Sequence, residues 1–248
     1  TDSSARPYAP FRSRPSLLFP THLVDPVRWL VETLLRHDLR GAFRRVCWVG
    51  DWPPALPDTP VIAYANHHHY FDGHLGWLLF TEVLDRPSTL WMAEWDRFPF
   101  FGALGAQPFP PDAPKRRAAT LRRTARRFRD APDTVLIYYP EGELRSPDGG
   151  IDPFDPDALN RLARLYPDAQ WWPFALHVTW EGHARPTAFL TGGPAHAPDG
   201  TEHDRLTDLW ASLRAPAPAP EQVLLQGRRS AAETWSFSFA APFFQRYL

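Results

Sequence analysis

The 248-residue chain is 44% hydrophobic and 22% charged, with a formal net charge of -1, so nothing global pulls it toward nucleic acid. Cys47 is the one cysteine, which excludes an internal disulfide and a zinc site built on several thiolates. The opening "TDSSARPYAP" has no apolar signal core, and no run approaches the ~20 apolar residues that span a bilayer. The expectation is a cytoplasmic chain that meets a membrane only at its surface.

In chain order, residues 1–20 carry four prolines and three arginines and read as an extended arm. Asp25 suits an N-cap and Pro26 a first helical position, and Leu23, Val27, Leu30, Val31, Leu34 and Leu35 recur at helical spacing. That amphipathic helix either packs on its own domain or lies on a bilayer. Strands follow at 45–50 and 60–65, then a helix at 73–84, a strand at 88–95 and an aromatic loop. A long helix is expected at 113–130, a strand at 134–139 and a helix near 156–166. Strands at 170–180 and 186–192 precede a helix capped by Thr201 or Asp204. "APAPAP" (215–220) reads as a stiff linker before a tail.

This alternation predicts an α/β fold: a mainly parallel sheet flanked by helices, with the N-terminal amphipathic helical arm outside it. The expected divisions are 1–44 for the arm and helix, 45–214 for the α/β domain and 215–248 for the linker and tail. Ligands in such folds bind beyond the carboxyl ends of the strands. Two polar motifs fall there. "NHHHYFDGH" (66–74) follows the strand at 60–65, and "YYPEGELRSP" (138–147) straddles the end of the strand at 134–139.

His67 and Asp72 bracket four residues at the start of a helix, so one chain reversal brings them together. A carboxylate on one imidazole nitrogen fixes the tautomer and prepares the other nitrogen to move a proton. His68, His69 and His74 read as polar linings or caps, or as part of a zinc cluster with His177, His183, His196 or His203. None of these last four stands in a ligand string, and the expectation is no metal. In the second motif, Glu141 is aimed across the rim from a Pro-Glu-Gly turn, and Arg145 offers a fork for phosphate or carboxylate.

"NHHHYFD" resembles the NHx4D motif of the glycerolipid acyltransferases, the family of bacterial 1-acylglycerol-3-phosphate acyltransferase. "YYPEGELRS" is similar to that family's FPEGTRS motif, and "WWPFAL" (171–176) to its short apolar-Pro motif. The resemblance spans roughly residues 45–195. It implies an enzyme of lipid metabolism that moves a fatty acyl group from acyl-CoA or acyl carrier protein to a lipid hydroxyl. No further cofactor is implied. By that resemblance His67 is the general base and Asp72 its partner, while Asn66, Glu141, Gly142 and Arg145 lie on the substrate side. The protein is then peripheral on the inner face of the membrane.

The chain departs from the family in two places. Glu143 stands where relatives have threonine, with Leu144 inserted before Arg145. No arginine occurs between Arg97 and Arg116, where relatives carry one for acceptor phosphate. An acceptor without glycerol phosphate, such as a lipid sugar or another hydroxylated lipid, is therefore open alongside a lysophospholipid. Two rival expectations stand: a metal-dependent hydrolase, and an inactive lipid-binding or carrier-binding relative. The helix at 113–130 adds eight basic residues within "KRRAATLRRTARRFR" (115–129). They form either a solvated back or a surface for headgroups, CoA phosphates or an acidic carrier.

Overall fold

A computed structural model describes residues 25–51, 56–215 and 221–228, and in them the expected alternation folds onto one eight-stranded sheet. The arm at 1–20, most of the Pro/Ala linker and the "TWSFSFA" segment lie outside the described residues. The strands are β1 (Arg45–Val49), β2 (Val61–Tyr64), β3 (Ser88–Met92), β4 (Ala106–Pro108), β5 (Val135–Tyr138), β6 (Gln170–Thr179), β7 (Thr187–Gly192) and β8 (Glu221–Gln226). Their spatial order is β4-β3-β5-β2-β6-β7-β1-β8. Neighbours from β4 through β6 are parallel, as are β7 and β1, whereas β6–β7 and β1–β8 are antiparallel.

The helices are α1 (Pro26–Ala42), α2 (Asp72–Trp77), α3 (Pro114–Asp130), α4 (Pro156–Leu165) and α5 (Glu202–Leu213). Asp25 Oδ1 accepts from the backbone N–H of Val27 at 3.0 Å and of Arg28 at 3.3 Å, with Pro26 opening α1. Val31, Leu35 and Leu39 of α1 are buried; Val27, Trp29, Leu30 and Leu34 stand at least half exposed. No helix among the described residues is long and apolar enough to cross a membrane.

Successive strand residues point to opposite faces, which builds two cores. Val61, Ala63, Ile137, Trp172 and Phe174 face α1 and α2, while Ile62, Tyr64, Leu136 and Trp171 face α4, α5 and the end of α3. Apolar residues on both faces are what a helix-covered parallel sheet requires.

Four expectations need correction. The helix expected over 73–84 starts at Asp72 and widens into a π-helical turn at Leu78–Val83. Leu78, Leu79 and Phe80 are all buried, and the wider pitch helps consecutive side chains share one side. The three-residue β4, ending at Pro108, lies where only loop was expected. Neither Thr201 nor Asp204 caps α5 with its side chain. Glu202 Oε1 instead accepts from the N–H groups of Asp199 (2.9 Å) and Gly200 (3.3 Å). Finally, β8 arises from the stretch expected as a tail and pairs along β1.

Candidate active site

Strands β2 and β5 are adjacent, with Ala63 opposite Ile137 and Tyr64 opposite Tyr138. The chain leaving each strand therefore reaches the same rim, which brings the two polar motifs together.

Asn66 is fully buried at the end of β2. Its Oδ1 accepts from Leu176 N at 2.9 Å and its Nδ2 donates to Leu176 O at 2.9 Å, so the amide clamps β2 to β6. The same Nδ2 lies 3.1 Å from His68 Nδ1. Asn66, expected on the substrate side, thus has both amide atoms bonded within the protein.

His67 Nδ1 lies 3.1 Å from Asp72 Oδ2, and that oxygen also accepts from His69 N at 2.8 Å. A carboxylate there accepts, so Nδ1 donates, and in the neutral ring the lone pair falls to Nε2 on the other edge. Asp72 is 1% exposed, and 26% of the His67 side chain is open. The imidazole stacks on Tyr139 with centroids 4.4 Å apart and planes at 21°. The phenol tip of Tyr139 is buried without a hydrogen-bond partner, as is Asp72 Oδ1. Burial, with the charge of Asp72 added, pushes the Tyr139 phenol well above its usual range. Gly76 makes room for this ring: a Cβ there would come within 3.2 Å of Ile137 and 3.5 Å of the Tyr139 hydroxyl.

Glu141 joins the motifs. Its side chain is fully buried; Oε1 accepts from His67 N at 2.7 Å and Oε2 from Asp152 N at 3.2 Å. Arg145 N donates to His67 O at 3.0 Å, so His67 is held through both of its backbone polar groups. Burial opposes ionisation of Glu141, but His68 and the N–H groups of His67 and Asp152 outweigh it and hold the carboxyl below the usual range. Gly142 sits at φ +73° in the turn closed by Gly142 N to Tyr139 O at 3.1 Å, a conformation that favours glycine. The Arg145 guanidinium reaches Asp152 Oδ2 at 2.7 Å and Glu143 at 3.3 Å, with 49% of its side chain exposed. Of the four substrate-side expectations, Arg145 alone presents a charged side chain at the surface of the rim.

The other histidines diverge. His68 packs edge-on to Trp210, and His69 Nδ1 accepts from Phe71 N at 3.2 Å. His74, among Phe71, Phe101 and Tyr70, is pushed down to about 4 by burial, against the pull of Asp38. Among the described residues, one set of three potential ligands converges: His196, Asp199 and Glu202, away from the NHHHYFDGH segment. Its atoms already have protein partners, with His196 bonded to Tyr64 and Ala197, Asp199 to Thr201 and Arg205, and Glu202 to the turn before α5. Sequence reading missed Tyr139, Asp152 and Trp210 as members of the site. Tyr139 had a signal, because it directly precedes the Pro-Glu-Gly turn. Asp152 and Trp210 arrive through tertiary folding alone.

A buried carboxylate on one imidazole nitrogen, with the other edge of the ring at an open rim, is an arrangement suited to general acid–base chemistry. Among solved structures, the chain is similar to the 1-acyl-sn-glycerophosphate (LPA) acyltransferase PlsC from Thermotoga maritima. Identity is 19% over 75% of this chain and 76% of that one, with a TM-score of 0.49. Similarity of that extent assigns no activity to this chain. No protein-family model matches the sequence, and no curated protein matches it.

Proposed function

We propose that this protein is an O-acyltransferase that moves a fatty acyl group from a thioester donor, acyl-CoA or acyl carrier protein, to a hydroxyl of a lipid acceptor. The observation that carries this reading is the His67–Asp72 contact of 3.1 Å, held at the rim by Glu141 and Arg145 from the second motif. The motif resemblance supports the same reading.

In the proposed step, His67 Nε2 takes the proton of the acceptor hydroxyl. The hydroxyl oxygen attacks the thioester carbonyl, and the resulting tetrahedral adduct expels the thiol sulfur. The imidazolium returns its proton to that sulfur, giving ester and free thiol with no acyl-enzyme. Asp72 holds the ring in the tautomer that can do this and stabilises the imidazolium. Arg145 meets an anionic or polar acceptor group, while Asn66, Glu141 and Gly142 act by shaping the loops. The exposed Val27, Trp29, Leu30 and Leu34 on α1 fit a peripheral seat on a membrane surface, where the lipid acceptor resides.

The test is free-thiol release from a long-chain acyl-CoA, or from an acylated carrier protein, across a panel of lysophospholipids and glycolipids. Release that requires one acceptor and disappears in folded His67→Ala establishes the reaction. Release undiminished in folded His67→Ala overturns the assignment of the base. Stoichiometric, tightly held zinc with hydrolysis in place of transfer would overturn the acyltransferase reading.

A further inference from the structure

The basic helix α3 is not used by the proton-transfer site, yet one side of it forms a wall. Between the C-terminal half of α3 and the segment 95–106 lies a cavity of about 500 Å³, within the ~300–1,000 Å³ typical of small-molecule sites. Arg123, Arg126 and Arg127 line it, with Asp130 as the one acid, and Trp95 and Gln107 opposite.

Its walls depend on two glycines. A Cβ on Gly102 would come within 2.7 Å of the Trp95 ring, so the indole lies directly against that backbone. Gly105, at φ +94°, has no room for a Cβ between Ser88 O and the guanidinium of Arg127. Arg127 uses this space to donate from Nη1 to Gly105 O at 3.2 Å. Burial, and then the charge of Arg28, lower the proton affinity of the Arg127 guanidinium. Among the described residues, Arg123 and Arg126 have no ion-pair partner. Three planar forks against one carboxylate suit a ligand with more than one phosphate group, and the indole adds an aromatic surface for a base.

Position supplies the rest. Phe101, next to Gly102, meets the His74 ring edge-on with centroids 5.6 Å apart, and His74 belongs to the helix opened by Asp72. Gly102 of the cavity wall is thus joined, through Phe101 and His74, to the helix that opens with Asp72.

We propose that this cavity binds the phosphorylated adenosine end of an acyl-CoA donor, leaving the flexible pantetheine arm to bring the thioester to His67. The inference rests on the acyltransfer reading and makes CoA, not a carrier protein, the donor handle.

Adenosine 3′,5′-bisphosphate titrated into the full chain by calorimetry tests it. Saturable binding is expected, weakened at least about tenfold in R123A/R126A. R122A, on the same helix but outside the cavity, should bind as wild type. The KM for acyl-CoA should rise in the double variant by a similar factor. No saturable binding, or equal binding in R123A/R126A, overturns the proposal, and equal affinity for pyrophosphate overturns its nucleotide part. Wild-type turnover of an S-acyl-pantetheine, which lacks the nucleotide, reports acyl transfer separately. Turnover of that donor without bisphosphate binding sinks the cavity alone; binding without turnover of either donor sinks the acyltransfer reading.

Discussion

Glu141 Oε1 accepts the backbone N–H of His67 at 2.7 Å, so the carboxylate of one motif fixes the main chain of a motif 74 residues away. The Pro-Glu-Gly turn therefore acts on the candidate base through its backbone. Glu141→Gln keeps one carbonyl acceptor and turns an amide N–H₂ toward a backbone donor. A loss of about 1–3 kcal/mol in unfolding free energy is expected, with a fall in activity beyond that of a surface control. Denaturant titration and thiol-release rates on the same preparation check both. Unchanged stability would show that the two backbone donors find other acceptors.

Asp72→Asn should lower the rate roughly 10²- to 10⁴-fold, because an amide no longer selects the tautomer with Nδ1 protonated or stabilises the imidazolium. The double variant with His67→Ala should be little worse than His67→Ala alone, since Asp72 acts through His67. Additive losses would mean that Asp72 works independently of the ring.

Tyr139→Phe keeps the stack on His67 and removes a buried hydroxyl that has no partner. Because an unpaired buried polar group costs roughly 1–3 kcal/mol, this variant should be as stable as the parent or more so. Tyr139→Ala should lose both stability and rate. Thermal unfolding of the pair separates the contribution of the ring from that of the hydroxyl, and marked destabilisation of Tyr139→Phe would reveal a partner for the hydroxyl.

His74 is held neutral by burial, with its titration lowered to about 4 from the ordinary imidazole value of ~6.5. Between those values the unfolded chain binds a proton that the folded chain refuses. Stability from this group is therefore complete above pH ~6.5 and is lost as the pH falls toward 4, by about 3 kcal/mol at most. His69 and His177, also lowered chiefly by burial, act in the same direction. Urea titrations at pH 4.5 and 7 should show a smaller pH difference for His74→Phe than for the parent. An equal difference would assign the acid sensitivity elsewhere.

Leu30→Glu/Leu34→Glu places two charges on the exposed side of α1 while sparing Val31, Leu35 and Leu39 in the core. Vesicle co-sedimentation should fall severalfold with the melting temperature unchanged. Equal sedimentation would overturn the proposed seat of α1 on a membrane surface.

Much of this was legible in the sequence because the signals were local. The apolar runs at 60–65 and 134–139 became the paired β2 and β5, and Asp25-Pro26 capped α1 as its chemistry dictates. Placing both polar motifs past parallel strands was enough to bring His67, Asp72 and Glu141 together. What stayed hidden was tertiary. The clamp of Asn66 on Leu176 and the grip of Asp152 on Arg145 need the folded sheet. Strand β4, with three residues and a proline, has too little pattern to stand out. Strand β8 follows a linker and alternates weakly, so its pairing rests on what β1 offers.

That pairing bears on how the chain is made. Strand β1 leaves the ribosome early, yet its two neighbours in the sheet are β7 and β8, which emerge last. Until they arrive, Val46, Cys47 and Trp48 have no strand to pair with on either side. Such distant pairings fold slowly and leave an apolar edge open to other chains meanwhile. A fragment ending before Glu221 would keep every residue of the candidate acid–base pair and still leave one side of β1 bare. Its failure would appear as aggregation during synthesis, before any loss of chemistry could be measured.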